Sequence, residues 1–162
     1  AVILPDDLVK SQVPCLKQMV EAHERLGGNM VAVMEVEGKA IERYGVITPG
    51  ERQGNCIEVR GVVEKPSEAQ APSNLAVIGR YILEPKLFSY LSQAGRGAGG
   101  EIQLTDSMAK LIVPGNFHGV LFEGERFDCG DKAGFVKATI AMALARDDIG
   151  DEVRAYLESL QH

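Results

Sequence analysis

The first 36 residues constrain the fold most, because two different hydrophobic periods alternate there. Residues 1–4 form a continuous apolar run, which is typical of a strand buried on both faces. In residues 13–26 the apolar positions recur at helical spacing, and Gly27-Gly28 follows as a common helix stop. Residues 29–36 return to a short apolar run. This order of strand, helix and strand predicts an α/β fold with a right-handed parallel crossover.

The remaining chain continues the mixture of strands and helices, without internal repeats or long linkers. The apolar runs predict four more strands, at residues 44–48, 57–65, 75–83 and 117–122. Helical patterns occupy residues 85–93, 101–113, 132–145 and 149–160. The length of 162 residues is that of one domain, so we expect residues 1–162 to fold as a single domain with a real core.

Composition excludes several classes of partner. Hydrophobic residues make up 45% of the chain and charged residues 25%, as in an ordinary globular domain. The net charge is −6, so we expect no basic surface for nucleic acid or an anionic membrane. No apolar run approaches the roughly 20 residues that a bilayer span needs, and the N-terminus lacks a signal-peptide pattern. The sequence therefore predicts a cytoplasmic protein.

The cysteines and histidines show no spacing that is typical of a catalytic or metal centre. The three cysteines are an odd number at wide intervals, so we expect reduced thiols rather than disulfides or a zinc site: Cys15, Cys56 and Cys129. The three histidines have no triad partner nearby in sequence, and we expect structural or exposed roles for them: His23, His118 and His162.

The first candidate for chemistry is Asp6, which follows the first predicted strand in the sequence Leu4-Pro5-Asp6-Asp7. Ligands of open α/β sheets bind beyond the carboxyl ends of strands, and Mg²⁺ takes one or two protein carboxylates together with phosphate oxygens. A solvated acidic turn is the alternative interpretation of the same residues.

The second candidate is the pair Glu64-Lys65 before Pro66. Pro66 favours an extended Lys65, so the two side chains are expected on opposite sides of the chain. The carboxylate could then accept hydrogen bonds from hydroxyls, while the ammonium could reach a phosphate. A surface ion pair is the common alternative for such residues.

The third candidate is Asp128, at the end of another predicted strand and just before a helix. If it converged on Asp6, the two carboxylates could hold Mg²⁺ beside a phosphate. A helix N-cap is the alternative role for Asp128. The glycine-rich segment 95–100 lacks the Lys-Ser/Thr ending of a phosphate-binding loop, and we expect a mobile loop there.

Six segments of the chain carry a family resemblance. The most specific are residues 71–81 (APSNLAVIGRY) and 100–106 (GEIQLTD), and the others are residues 4–8, 44–47, 62–66 and 127–130. Taken in order, they resemble the C-terminal half of bacterial UTP–glucose-1-phosphate uridylyltransferases, also called UDP-glucose pyrophosphorylases. The resemblance implies a Rossmann-like nucleotidyltransferase fold with a mixed, mostly parallel sheet flanked by helices.

The resemblance also implies roles for individual residues in making UDP-glucose and pyrophosphate from UTP and glucose 1-phosphate. Asp6 and Asp128 would hold Mg²⁺, and Asp6 and Lys65 would be the catalytic residues. Glu64 would bind sugar hydroxyls and Lys65 the sugar phosphate, while the backbone at Gly45 and Val77 would lie close to the hexose. Asp6, Asp128, Glu64 and Lys65 are thus expected around one sugar phosphate and one magnesium ion.

The chain departs from the family pattern because the glycine-rich loop that cradles the triphosphate and selects the base is absent from it. The sequence therefore predicts a fragment with a sugar-phosphate and metal half-site but without the N-terminal nucleotide-binding half, which would turn over little by itself. A thymidylyltransferase or guanylyltransferase acting on another hexose 1-phosphate is the related alternative.

A non-catalytic module that self-associates through its C-terminal helices is the alternative from a different class. Apolar residues in this region fit helical stripes: Ile140, Met142, Leu144, Ile149, Val153, Tyr156, Leu157 and Leu160. Family members form dimers or tetramers, so the resemblance also implies a homo-oligomer.

Overall fold

The structure is a computed structural model that describes residues 1–95 and 102–160. Its strands are β1 (Val2–Ile3), β2 (Asp7–Lys10), β3 (Asn29–Glu35), β4 (Gly45–Gln53), β5 (Cys56–Glu64), β6 (Leu75–Ile82), β7 (Phe117–Leu121) and β8 (Glu125–Asp128). Its α-helices are α1 (Cys15–Leu26), α2 (Lys86–Ser92), α3 (Leu104–Ala109), α4 (Lys132–Leu144) and α5 (Gly150–Ser159).

The chain divides into two compact units. The first unit is formed by Ala1–Ile3 and Val13–Glu123, and the second by Leu4–Gln12 and Gly124–His162. The sequence prediction of a single domain over residues 1–162 stays a prediction.

Most of the predicted elements are confirmed at nearly the predicted positions. The apolar runs of the central region correspond to β4, β5, β6 and β7, and the C-terminal helical patterns to α4 and α5. The helix predicted at residues 101–113 is shorter, since α3 covers only Leu104–Ala109. The loop predicted at residues 95–100 lies outside the described residues, apart from Gly95.

The first unit contains a six-stranded mixed sheet in the order β1-β6-β3-β7-β5-β4, with a further pairing between β6 and β4. The mixed sheet flanked by helices is confirmed, but its neighbouring strands are not mostly parallel. Within residues 1–95 and 102–160, only β3 and β7 pair in parallel in this sheet. The reason is that β4 and β5 form a hairpin and β6 returns antiparallel between β1 and β3. Consequently β1 and β3 run in the same direction, as the predicted crossover requires, but they are not neighbours.

The prediction that residues 1–4 form a strand buried on both faces is wrong. β1 has only two residues and lies at the edge of the sheet, where it pairs with β6 alone. Ile3 is 53% exposed as a result. A strand at an edge has a partner on one side only, so its apolar residues cannot be covered as in a central strand.

The core of the first unit lies where the sheet meets the helices. β3 contributes an almost fully buried run, and α1 packs its buried face through Cys15, Met19 and Ala22. Met108 and Leu111 belong to the same apolar cluster as Val59 of β5, so the core fixes α3 and the residues after it. This packing matters for function, because β5 and α3 both carry residues of the candidate functional site.

The second unit consists of the antiparallel pair β2–β8 and the helices α4 and α5. Asp131 caps α4, because its side chain accepts a hydrogen bond of 2.9 Å from the backbone N–H of Gly134. Several large apolar side chains of this unit are exposed, among them Phe135, Val136, Tyr156 and Leu160. Within the described residues, no helix of either unit has the length and apolar character that a membrane span requires.

Candidate functional site

Strand register in the first unit places Gly45, Glu64 and Val77 side by side. Gly45 is the direct partner of Glu64 in the β4–β5 hairpin. The next residue of β4, Val46, pairs with Ala76 of β6. Because these strands are antiparallel, Gly45 and Val77 are the following neighbours along the same ladder. The side chain of Val77 is buried in the core.

The carboxylate of Glu64 is held between a hydroxyl and an ammonium group. Thr105 Oγ1 donates a hydrogen bond of 2.5 Å to Glu64 Oε2, and Lys65 Nζ lies 3.8 Å from Glu64 Oε1. The Glu64 side chain is 20% exposed, whereas that of Lys65 is 59% exposed. The site therefore combines a partly shielded acceptor with a cation that reaches into solvent.

The prediction of an extended Lys65 with its side chain opposite Glu64 is wrong. Lys65 has φ of 44°, and it is the only non-glycine residue with positive φ in the part of the chain that the structure describes. Its backbone N–H donates a hydrogen bond of 3.0 Å to the carbonyl of Tyr44, and Pro66 is buried. These contacts hold the left-handed conformation in spite of the preference that a following proline imposes. The two side chains consequently meet on one side of the chain.

Asp6 and Asp128 come together in the second unit. A Cβ atom added to Gly130 would lie 3.2 Å from Asp6 Oδ2 and 3.3 Å from Asp128 Oδ1, so both carboxylates border the same point. The backbone N–H of Cys129 also donates a hydrogen bond of 2.7 Å to the carbonyl of Asp6. Asp6 is exposed and the Asp128 side chain is 25% exposed. The helix-cap role is taken by Asp131, which removes the alternative reading of Asp128.

Arg126 links the neighbouring acids of this group. Its guanidinium forms a close, largely buried ion pair with Asp7, and its Nη1 lies 3.6 Å from Asp128 Oδ2. Register explains the arrangement, because Asp7 pairs directly with Asp128 while Arg126 lies two residues earlier on β8, on the same face. The positive charge of Arg126 offsets part of the electrostatic repulsion among Asp6, Asp7 and Asp128.

The donor set of the second unit fits a hard divalent cation that keeps water and takes further oxygens from a ligand. The glycine at 130 leaves open the space that a Cβ would occupy between the two carboxylates. Within the described residues, no group of three or more histidine, cysteine, aspartate or glutamate side chains could hold a metal. A pair of carboxylates suits Mg²⁺, because this ion is commonly held by one or two protein carboxylates together with phosphate oxygens.

The remaining candidates of the sequence show ordinary contacts. Cys15 and Cys56 are buried free thiols, and burial raises the pKa of the Cys15 thiol to about 11, which keeps it protonated. Cys129 is a partly exposed free thiol. His23 Nδ1 lies 2.8 Å from the carbonyl oxygen of Gly28, and His118 is a partly buried residue of β7. His162 lies outside the described residues.

Sequence reasoning missed two residues of these groups, Thr105 and Arg126. Thr105 belongs to the segment 100–106 that carried the family resemblance, but nothing in that segment points to Glu64, which lies 41 residues away. Arg126 lies next to the predicted acidic strand end, and only the antiparallel register with β2 shows that it contacts Asp7.

The chemistry of the two groups is complementary to a phosphorylated polyol and a divalent cation. In the first unit, Glu64 can accept hydrogen bonds from hydroxyls, and Lys65 can donate to phosphate oxygens. In the second unit, Asp6 and Asp128 can supply oxygen ligands.

Comparisons with known proteins identify relatives with the same fold. A UTP–glucose-1-phosphate uridylyltransferase 2 from Staphylococcus saprophyticus is 45% identical over 161 residues, which is 99% of this chain and 56% of the relative. A crystal structure of UDP-glucose pyrophosphorylase complexed with UDP-glucose has a TM-score of 0.83 and 38% identity, over 89% of this chain and 55% of that one. UDP-glucose pyrophosphorylase from Acinetobacter baumannii has a TM-score of 0.84 and 31% identity, over 98% and 55%.

The chain thus spans about half the length of the curated relatives it matches. The sequence profile described as Nucleotidyl transferase matches residues 1–152, which is most of the chain. Because the match covers more than half of the chain, the chain belongs to the nucleotidyl transferase family.

Proposed function

We propose that the chain takes part in the reaction of a UTP–glucose-1-phosphate uridylyltransferase, in which it binds glucose 1-phosphate and Mg²⁺. In this reaction a phosphate oxygen of glucose 1-phosphate forms a bond to the α-phosphorus of UTP. The bond from that phosphorus to the oxygen bridging to the β-phosphate breaks, and pyrophosphate leaves with the bridging oxygen and its electron pair. UDP-glucose is the other product.

The observation that carries the proposal is the pairing of Glu64 and Lys65 beside Gly45. A sugar 1-phosphate has hydroxyl donors at one end and a dianionic phosphate at the other, so it needs an acceptor and a cation close together. Glu64 Oε1 and Lys65 Nζ are 3.8 Å apart, and the missing side chain at Gly45 leaves room beside the carboxylate. The backbone at Gly45 and Val77 would line the hexose.

The proposed work of these residues is positioning and charge neutralisation. Transfer at phosphorus needs little covalent help from a protein, because the rate depends on alignment and on the stabilisation of negative charge. Lys65 would hold the phosphate of glucose 1-phosphate and offset the negative charge of this phosphate while one of its oxygens attacks. Glu64 would fix the sugar ring, so that the phosphate has one orientation.

Asp6 and Asp128 are the proposed ligands of Mg²⁺. When bound, the ion would neutralise phosphate charge and so favour attack at phosphorus. The two carboxylates would hold it from the protein side, and Arg126 would keep Asp128 in place through their contact of 3.6 Å.

The choice of uridylyl transfer rests on the printed names of the relatives, which are uridylyltransferases and UDP-glucose pyrophosphorylases. Thymidylyl or guanylyl transfer to another hexose 1-phosphate is the alternative within the family. Glu64 bears on the identity of the hexose 1-phosphate and not on the base, since it would accept hydrogen bonds only from sugar hydroxyls in suitable positions.

Calorimetric titration with glucose 1-phosphate and, separately, with inorganic phosphate tests the proposal. We expect wild type to bind both ligands, and glucose 1-phosphate more tightly. Glu64→Ala should weaken only glucose 1-phosphate binding, whereas Lys65→Ala should weaken the binding of both. Ser89→Ala, an exposed position on α2, is the control for the protein preparation. Absence of glucose 1-phosphate binding at millimolar concentration would contradict the proposal.

We also propose a cytoplasmic location and self-association for this protein. The three free cysteines fit a reducing compartment. The exposed apolar side chains of α4 and α5, among them Phe135 and Tyr156, favour contact between copies of the chain. Light scattering after size exclusion, with wild type and Phe135→Ser, tests the association: a wild-type monomer would refute it.

A further inference from the structure

Thr105 makes the closest contact to the carboxylate that the proposed function uses. Its hydroxyl donates to Glu64 Oε2 at 2.5 Å, which is at the short end of the range for hydroxyl–carboxylate hydrogen bonds. An ionised carboxylate can only accept, so the direction of the bond is fixed. Thr105 itself is 9% exposed, and water has little access to compete for its hydroxyl.

The helix that carries Thr105 is anchored in the core. Two and three residues further along α3, Ser107 and Met108 are buried, and Met108 packs in the same apolar cluster as Val59 of β5. The donor is therefore attached to a packed helix, while the acceptor is at the end of a flexible three-carbon side chain. The hydroxyl of Thr105 is therefore the group that determines where the carboxylate of Glu64 lies.

The hydrogen bond leaves part of the carboxylate open for a ligand. Two carboxylate oxygens offer about four lone-pair directions, and Thr105 occupies one of them on Oε2. The other oxygen, Oε1, faces Lys65 at 3.8 Å. The remaining directions can accept hydrogen bonds from hydroxyl groups.

We propose that Thr105 is a positioning residue for sugar recognition: it fixes the Glu64 carboxylate so that it accepts hydrogen bonds only from hydroxyls of one configuration. The inference rests on the proposed function, in which Glu64 binds the hexose. A carboxylate held in one orientation loses less freedom on binding and adapts less well to an epimer. Thr105 thus contributes to the affinity for the sugar and to the discrimination between hexose 1-phosphates, without touching the ligand.

The test is calorimetry on Thr105→Val, which keeps the shape of the side chain and removes the hydroxyl. We expect the affinity for glucose 1-phosphate to fall roughly tenfold, as for the loss of a hydrogen bond to a charged group. The preference for glucose 1-phosphate over its C4 epimer, galactose 1-phosphate, should fall as well. The affinity for inorganic phosphate, which does not use Glu64, should remain that of wild type.

Three further variants separate positioning from a general structural effect. Thr105→Ser, which restores a hydroxyl, should recover most of the affinity. In a Glu64→Ala background, Thr105→Val should have no additional effect, because the group it positions is gone. Thr139→Val makes the same chemical change on the exposed side of α4 and should bind glucose 1-phosphate like wild type.

Each outcome is decisive. Wild-type affinity in Thr105→Val, equal losses for glucose 1-phosphate and inorganic phosphate, or failure of Thr105→Ser to recover affinity would each overturn the positioning role. An unchanged preference over galactose 1-phosphate, or a further loss of affinity from Thr105→Val in the Glu64→Ala background, would overturn it as well. In these cases wild type still binds glucose 1-phosphate, so the proposed function survives. Absence of binding by wild type would instead contradict the proposed function and this inference with it.

Discussion

A Cβ atom on Gly45 would lie 3.3 Å from Oε2 of Glu64. It would also lie 3.5 Å from Oγ1 of Thr105, which is an ordinary van der Waals contact, so an added methyl group would press on the carboxylate oxygen. The backbone of Gly45 is not in the left-handed region, and a side chain is allowed there on conformational grounds. Glycine at this position is therefore explained by the space around the carboxylate.

Gly45→Ala should weaken glucose 1-phosphate binding by roughly tenfold with little loss of stability, because it displaces the carboxylate by a few tenths of an ångström. Calorimetry and thermal denaturation measure the two effects. Gly95→Ala is the matched control, since a Cβ there meets nothing within 4 Å. Equal affinities of wild type and Gly45→Ala would contradict this account of the glycine.

Among substitutions of Lys65 by small residues, glycine should give a more stable protein than alanine, which reverses the usual order. At φ of 44° an L side chain is strained, so Lys65→Gly should be more stable than Lys65→Ala by about 1 kcal/mol. Lys65→Val should be the least stable, because a β-branched residue is most restricted there. Urea denaturation gives the three free energies of unfolding, and alanine ranking above glycine would refute the left-handed conformation.

Arg126→Ala should destabilise the second unit by about 3 kcal/mol, because it removes the partner of the buried carboxylate of Asp7. Removing both charges in Arg126→Leu/Asp7→Leu should cost less than the sum of the single changes. Urea denaturation measures these free energies, and Arg146→Ala, in an exposed ion pair with Asp148, provides the control. Additive losses would contradict the coupling of the two side chains.

Asp6→Ala should weaken divalent cation binding by the second unit. Two carboxylates without a phosphate bind only weakly, so we expect millimolar affinity for Mn²⁺ in wild type and at least a roughly tenfold loss in Asp6→Ala and Asp128→Asn. Electron paramagnetic resonance of free Mn²⁺ measures the binding. Asp148→Asn removes an exposed carboxylate elsewhere and should bind Mn²⁺ like wild type. Unchanged binding in Asp6→Ala would exclude this residue as a ligand.

The elements that local patterns specify could be predicted from the sequence. The helix ending at Leu26 has helical apolar spacing and a glycine pair after it, and the structure confirms it. The strands β4, β5 and β6 have apolar or alternating runs between turn residues. Strand pairing was harder to predict, because a run of apolar residues does not show whether the neighbouring strand is parallel or antiparallel.

The site residues show the same limit. Asp6, Glu64 and Asp128 could be selected because each follows or ends a strand-like run. The contact of Thr105 with Glu64 joins residues that are 41 positions apart, and the contact of Arg126 with Asp7 spans 119 positions. The backbone conformation of Lys65 differs from the local preference before Pro66, because the hydrogen bond to Tyr44 overrides that preference. Contacts of this kind depend on tertiary structure and leave no local signal.

A crystal structure of the chain soaked with glucose 1-phosphate tests whether Glu64 and Lys65 recognise a sugar 1-phosphate. We expect sugar hydroxyls within hydrogen-bond distance of the Glu64 carboxylate and the phosphate against Lys65 Nζ. Glucose 1-phosphate bound away from these two side chains would contradict this expectation.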